Sequence, residues 1–65
     1  MGYKVGDCFL CGDEKIIITD VYIDNIDGND YGCVSYDIKT GKEKFYFDIT
    51  EKEMYEEKWL KQDER

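Results

Sequence analysis

The strand pattern of this chain is strongest over nine consecutive residues, Lys15-Ile16-Ile17-Ile18-Thr19-Asp20-Val21-Tyr22-Ile23. β-branched side chains dominate the stretch, and they pack well on a pleated sheet. Since alternate residues point to opposite faces of a strand, one face is predicted to carry Ile17, Thr19, Val21 and Ile23. The other face then carries Ile16, Ile18, Asp20 and Tyr22. Isoleucines occur on both faces near the start, so we expect a central strand of a curved sheet.

Shorter strand patterns lie on both sides of this stretch. A tight turn at Val5-Gly6-Asp7 is predicted to precede a short strand, Cys8–Cys11, which ends at Gly12. Downstream, residues 31–38 and 43–49 alternate as strands, and the hairpin turn between them places Gly41 where positive φ is needed. In the last strand we expect the inward side chains to be Phe45, Phe47 and Ile49, and the outward ones Lys44, Tyr46 and Asp48.

A helix is predicted to follow the last strand. Thr50-Glu51-Lys52-Glu53 has the pattern of a capping box, in which the first and fourth residues satisfy each other's backbone amides. We expect the helix to span residues 51–61. Tyr55 and Trp59 lie four residues apart and form its best apolar stripe.

These elements predict a mainly β, small α+β fold in one domain, residues 1–65. Short connections favour antiparallel neighbours. Four to five short strands around one core indicate a partly open antiparallel β-barrel, with one C-terminal helix covering an edge or plugging an end.

The charge of the chain is strongly acidic. The net charge is −7, from 16 acidic and 9 basic residues, and a polyanion such as DNA or RNA is repelled by such a protein. Between residues 16 and 38 there is no Lys or Arg, but there are five aspartates, Asp20, Asp24, Asp27, Asp30 and Asp37. Two interpretations stay open: these aspartates are turn formers that keep the chain soluble, or they form an acidic face for a basic partner.

The cysteines allow an alternative interpretation, in which they bind a metal ion. Cys8-Phe9-Leu10-Cys11 has the spacing of one half of a zinc knuckle. The chain has no histidine, and its remaining cysteine is Cys33. A zinc module would therefore need Cys8, Cys11 and Cys33 together. The other interpretation is that all three are small apolar residues kept reduced, and we expect no cofactor.

Catalytic motifs are missing from the sequence. Without histidine there is no Ser-His or Cys-His pair. The loop at residues 24–30 fails the calcium-loop pattern, because Ile23 and Val34 stand where acids are required. No glycine-rich phosphate loop occurs, so we expect a protein that is not an enzyme.

Aromatic residues are the remaining candidates for function. Six tyrosines and one tryptophan are many for 65 residues. Outward Tyr46 and the helical Trp59 suit a protein-binding face, where such residues carry much of the binding energy. Equally, tyrosine covers a small core well while its hydroxyl stays hydrated.

Two segments resemble known small proteins. Tyr3-Lys4-Val5-Gly6-Asp7, followed by Phe9, is similar to the start of many SH3-like barrels, in which a Gly-Asp turn precedes the first strand. Phe47-Asp48-Ile49-Thr50-Glu51-Lys52-Glu53 resembles the strand-into-helix ending of short uncharacterised proteins of bacteriophages and Gram-positive bacteria. The resemblance implies a fold and a phage-type setting, but no activity and no site residues.

The sequence thus predicts a protein-binding module. We expect a cytoplasmic protein, since no signal-peptide pattern and no membrane-spanning apolar stretch is present. A specific version is a phage or prophage accessory protein whose acidic face binds a basic host protein, such as an inhibitor of a nucleic-acid-handling protein. The predicted partner-binding residues are Asp20, Asp24, Asp27, Asp30, Tyr46 and Trp59. The oligomeric state stays open between monomer and homodimer.

Overall fold

Five strands and one short helix make up the computed structural model, which describes residues 2–23 and 28–62. The elements in chain order are β1 (Cys8–Cys11), β2 (Glu14–Tyr22), β3 (Asp30–Asp37), β4 (Glu43–Thr50), α1 (Glu51–Glu56) and β5 (Leu60–Gln62). The strands form one antiparallel sheet in the order β4-β3-β2-β1-β5. Within the described residues β4 and β5 are its two edges and do not pair with each other. The predicted mainly β fold, with a partly open antiparallel sheet and one helix, is confirmed.

One face of the sheet carries the core, and we call it the core face. Its buried residues come from every strand except β5 and from the helix: Phe9, Ile16, Ile18, Tyr31, Cys33, Ile49 and Met54. Partly buried side chains complete this layer, among them Tyr3, Val21, Phe47 and Trp59. Phe45, predicted to point inward, lies on the core face opposite the buried Ser35, but it is 49% exposed because β4 is an edge strand. The opposite side of the sheet is called the outer face.

A β-bulge at Thr19 changes which residues of β2 point to the core. Before the bulge the even-numbered residues face the core, and after it the odd-numbered residues do. Ile18 lies opposite Cys33 on β3, but Asp20 lies opposite Gly32, so one extra residue is inserted on β2. Val21 therefore packs against the core with Ile18, and Asp20 moves to the outer face. The predicted faces of β2 are wrong beyond residue 18. The bulge keeps a carboxylate out of the core, where an unpaired charge is costly.

The hairpin turn between β3 and β4 forms where it was predicted. Gly41 has φ 74°, in the left-handed region that favours glycine. Asp37 initiates the turn, because its carboxylate accepts hydrogen bonds from the backbone amides of Lys39 (2.8 Å) and Thr40 (3.2 Å).

Helix α1 is shorter than predicted. The capping box is confirmed: the Thr50 side chain accepts from the backbone amide of Glu53, whose carboxylate accepts from the amide of Thr50. The helix ends at Glu56, and Lys58 turns the chain with φ 60°. Tyr55 is 86% exposed, and Met54 is the helix residue that enters the core, so the predicted Tyr55–Trp59 stripe is wrong. No helix of the described residues has the length and apolarity to cross a membrane.

Candidate functional site

The outer face of the sheet brings together the candidate binding residues. Residues directly opposite each other in antiparallel strands share a face. One row across this face runs through the pairs Cys8–Ile17, Ile17–Val34 and Val34–Tyr46. The neighbouring row toward the N-terminal end of β3 runs Asp20–Gly32–Asp48. An apolar band and an acidic band thus lie side by side.

Two carboxylates of the acidic band overhang Gly32. A Cβ added at Gly32 would lie 3.2 Å from Asp20 Oδ2 and 3.5 Å from Asp48 Oδ1. The missing side chain at Gly32 therefore leaves the room that both carboxylates occupy. Asp30 adds a third carboxylate one row further on, where it lies opposite Thr50. The result is a concentration of negative charge at one end of the outer face, suited to a cationic group.

Exposed tyrosines border this acidic end. Tyr46 is 67% exposed and Tyr22 is 51% exposed, and both lie on the outer face. A side-chain hydrogen bond with Glu43, together with the negative charge of that residue, raises the pKa of the Tyr46 hydroxyl. Tyr46 therefore stays protonated in neutral solution and presents a flat ring with a polar tip. Tyrosine of this kind contributes large contact area at low entropic cost.

The other end of the outer face is an apolar groove. It has a volume of about 510 Å³ and is lined by Leu10, Lys15, Ile17, Tyr36, Asp37, Ile38 and Gly41. Tyr36 and Ile38 come from β3 and the turn after it, and Leu10 comes from β1. Ile38 is 49% exposed. The outer face is consequently bipartite: one end is a mainly apolar groove that also contains Lys15 and Asp37, and the other end carries Asp20, Asp30 and Asp48.

The predicted partner-binding residues divide between the two faces of the sheet. Asp20, Asp30 and Tyr46 lie together on the outer face. Asp24 and Asp27 lie outside the described residues. Trp59 does not lie with the others, and it does not lie in a helix as predicted, because α1 ends at Glu56. Instead it packs on the core face against Phe9 and Phe47, at ring-centroid distances of 5.6 and 6.0 Å.

Trp59 also has a hydrogen-bond partner of its own. Its indole nitrogen donates to the carboxylate of Glu57 at 2.9 Å. The ring lines a depression of about 630 Å³ beside α1, together with Tyr3, Phe9 and Met54. These neighbours are core aromatics and a core methionine, so Trp59 covers the core.

Sequence reasoning missed Asp48 and Gly32 as parts of the site. Asp48 was predicted to point outward from its strand, and it does so. Its position across Gly32 from Asp20 depends on the pairing register of three strands and on the bulge in β2. The one local signal was a glycine inside a strand pattern, which often marks a close approach of neighbouring groups.

The cysteines lie apart from each other. Phe9 and Cys11 face the core, whereas Cys8 faces the other side of β1 opposite Ile17. Burial, with a smaller effect of the Asp48 charge, raises the pKa of the Cys33 thiol to about 11. Burial and the charges of Glu57 and Glu14 raise the pKa of Cys11. Both changes disfavour the thiolate, which is the form that binds zinc.

Metal-ligating side chains do not cluster in the described part of the chain. No group of three or more cysteine, aspartate or glutamate side chains there is placed to hold a metal ion. Because Cys8, Cys11 and Cys33 are all described, they do not form the three-cysteine site that the zinc alternative requires.

Comparison with known proteins leaves this site to be interpreted from its own geometry. No protein-family model matches the chain, and neither a curated protein nor a solved structure does. The resemblance to SH3-like barrels and to phage proteins therefore stays a prediction.

Proposed function

We propose that the protein is a non-enzymatic binding module that receives a basic protein segment on the outer face of its sheet. The observation that carries the proposal is the placement of Asp20, Asp30 and Asp48 beside the exposed Tyr46 on one face. None of these three carboxylates forms a salt bridge within the described part of the chain, and a cluster of like charges is electrostatically unfavourable until a cation arrives. Binding of a lysine or arginine relieves that repulsion.

The chemistry of the partner follows from the two ends of the outer face. The groove lined by Leu10, Ile17 and Tyr36 accepts an apolar side chain. The aspartates at the other end accept lysine or arginine. The segment that fits is therefore amphipathic, with an apolar residue at one end and basic residues at the other. Exposed charges at the edge of a binding site, such as these aspartates, act mainly on the association rate and on specificity.

A polyanionic ligand does not fit this surface. The net charge of −7 repels phosphate backbones. A basic protein that itself binds nucleic acid is the natural partner class, because the aspartates would stand where such a protein receives phosphates. Inhibition of a nucleic-acid-handling protein is the specific form of this proposal.

The test is an NMR titration of ¹⁵N-labelled protein. The probe is a synthetic peptide with valines at one end and arginines at the other, and the comparison peptide carries glutamates in place of the arginines. We expect the basic peptide alone to shift the amide signals of Gly32, Tyr46 and Asp48. Affinity for it should fall as salt rises, since exposed charges are screened.

Matched variants separate a site from general charge attraction. D20N/D30N removes two carboxylates from the outer face, and D13N/E56Q removes two from elsewhere with the same change in net charge. We expect D20N/D30N to weaken peptide binding about 5-fold and D13N/E56Q to change it about 2-fold or less. Equal weakening by both variants would reject the outer face as the site.

A further inference from the structure

Three aromatic rings line the depression beside α1. Phe9 is buried and forms its floor together with Met54. Tyr3 and Trp59 are half-buried, and both contact Phe9, with ring centroids 5.0 and 5.6 Å away and ring planes at 85° and 57° to the Phe9 plane. The rings are therefore inclined to one another rather than stacked, and they line a space of about 630 Å³. We call these three rings the aromatic cage.

The charges around the aromatic cage are mainly negative. Glu51 and Glu56, at the two ends of α1, line the same depression. Glu57 adds a third carboxylate, which occupies the indole N–H of Trp59 at 2.9 Å, so the indole offers a ligand its ring and not its donor. Lys58 is the cation among the lining residues, and no salt bridge of the described residues joins it to Glu51 or Glu56. Three carboxylates against one ammonium group favour a cationic ligand.

We propose that this depression binds a small quaternary ammonium compound, with the trimethylammonium group in the aromatic cage. The faces of aromatic rings are electron-rich and attract a cation that lies within about 6 Å of the ring centroid, most strongly for tryptophan. A quaternary nitrogen suits such a site because it donates no hydrogen bonds and leaves none unsatisfied when the rings enclose it. The volume of the depression lies within the range of about 300–1,000 Å³ that is typical of sites for small organic ligands.

The carboxylates favour a free compound over a phospholipid headgroup. In phosphatidylcholine a phosphate group lies close to the trimethylammonium group, and Glu51 and Glu56 would repel it. A free compound such as choline carries the cation without that phosphate. The aromatic cage is built from residues of the core face, so this site stands independently of the partner binding proposed for the outer face.

The test is a titration read by the fluorescence of Trp59, the single tryptophan and a member of the aromatic cage. The probe is choline, and the comparison ligand is the neutral alcohol in which a carbon replaces the nitrogen of choline. We expect choline to give a saturable change in the millimolar range and to bind at least about fivefold more tightly than the alcohol. Vesicles of phosphatidylcholine should not carry the protein with them in a flotation assay, and vesicle binding would overturn the free compound as the ligand.

Two variants of Tyr3 separate the attraction of a cation to the ring from apolar contact. Y3F keeps the ring and should bind choline within about twofold of wild type, whereas Y3L keeps an apolar side chain without a ring and should bind it at least about threefold more weakly. The affinity for the neutral alcohol should be the same in both variants. Circular dichroism verifies that both are folded.

A second pair of variants tests the carboxylates. E51Q/E56Q removes two of them from the depression, and D13N/E43Q removes two exposed carboxylates that lie outside it, with the same change in net charge. We expect E51Q/E56Q to weaken choline binding about fivefold and D13N/E43Q to change it about twofold or less. The proposal is overturned if choline gives no saturable change or binds no more tightly than the alcohol. It is also overturned if Y3L binds choline as tightly as Y3F, or if the two double variants weaken binding equally.

Discussion

The backbone amide of Tyr3 donates a hydrogen bond of 3.0 Å to the phenolic oxygen of Tyr31. Tyr31 is fully buried on β3, and its oxygen also accepts from the side-chain amide of Asn29 at 3.3 Å. The two tyrosine rings lie 5.7 Å apart, and Tyr3 makes an edge contact with Phe9 at 5.0 Å. One hydroxyl therefore attaches the segment before β1 to the core.

Replacement of Tyr31 by Phe tests this attachment. The ring stays in the core, but the amide of Tyr3 loses its partner, so we expect the free energy of unfolding to fall by about 1–2 kcal/mol. Urea denaturation followed by the fluorescence of Trp59, the single tryptophan, measures the change. The control is Tyr22→Phe at an exposed position, expected to change stability by less than about 0.5 kcal/mol. Similar effects of both variants would contradict the role of the Tyr31 hydroxyl.

Ser35 offers a change in the opposite direction. It is fully buried on β3, and its hydroxyl has no hydrogen-bond partner among the described residues. A buried hydroxyl without a partner costs about 1–3 kcal/mol by mutational measurements. We expect Ser35→Ala to raise the free energy of unfolding by about 1 kcal/mol, measured by the same urea titration. Ser35→Thr keeps the hydroxyl and should give no such gain. A loss of stability in Ser35→Ala would show that the hydroxyl is satisfied.

The Cys33 thiol is expected to make the free energy of unfolding fall at high pH. Its thiol pKa is raised from 9.0 to about 11 in the folded chain, chiefly by burial. The folded state therefore holds this proton more tightly than the unfolded state. The resulting contribution to stability is complete below pH 9 and is lost as pH rises from 9 through about 11.

The comparison of wild type with Cys33→Ala isolates that contribution. Between pH 8.5 and 11 we expect wild type to lose about 2–3 kcal/mol more stability than the variant, because one pKa unit corresponds to about 1.4 kcal/mol. Cys33→Ala lowers stability at all pH values through lost packing, so the difference in pH slope is the informative quantity. Parallel pH curves would mean that the thiol is not protected by burial.

Chelation tests the zinc alternative directly. Because Cys8, Cys11 and Cys33 do not form one site, we expect a strong chelator to leave the melting temperature and the native mass spectrum unchanged. Binding energy at a structural zinc site is folding energy. A mass excess of one zinc ion that the chelator removes, together with loss of the folded charge-state distribution, would support the zinc alternative.

Local sequence patterns predicted much of the fold. The capping box at Thr50 and the turn at Gly41 were predictable because they depend on contacts within a few residues and on the backbone freedom of glycine. The bounds of β1, Cys8–Cys11, were predicted as observed. Alternation also placed Ile16 and Ile18 together on one face, where both are buried, since side-chain period follows directly from strand geometry.

The candidate site was predictable only in part. Asp20 and Asp30 were predicted as binding residues because they lie in a stretch that has no lysine or arginine. Tyr46 was predicted because strand alternation points its side chain outward. Asp48 was missed as their neighbour, since a lysine-containing segment separates it from them in sequence. Their proximity depends on which residue of β4 pairs with which residue of β3.

The sequence by itself determined β1 to β4, the antiparallel order implied by short connections and the start of the helix, because these follow from interactions between near neighbours in the chain. It did not determine β5, because a helix was predicted over residues 51–61. Only the tertiary structure decided the facing of Asp20, the end of α1 at Glu56 and the burial of Trp59 against Phe9. The bulge in β2 removes the Asp20 carboxylate from the apolar layer. Helix α1 ends before Trp59, because the Trp59 ring buries more apolar surface by covering the core. Both depend on groups that are distant in sequence and meet only in the folded chain.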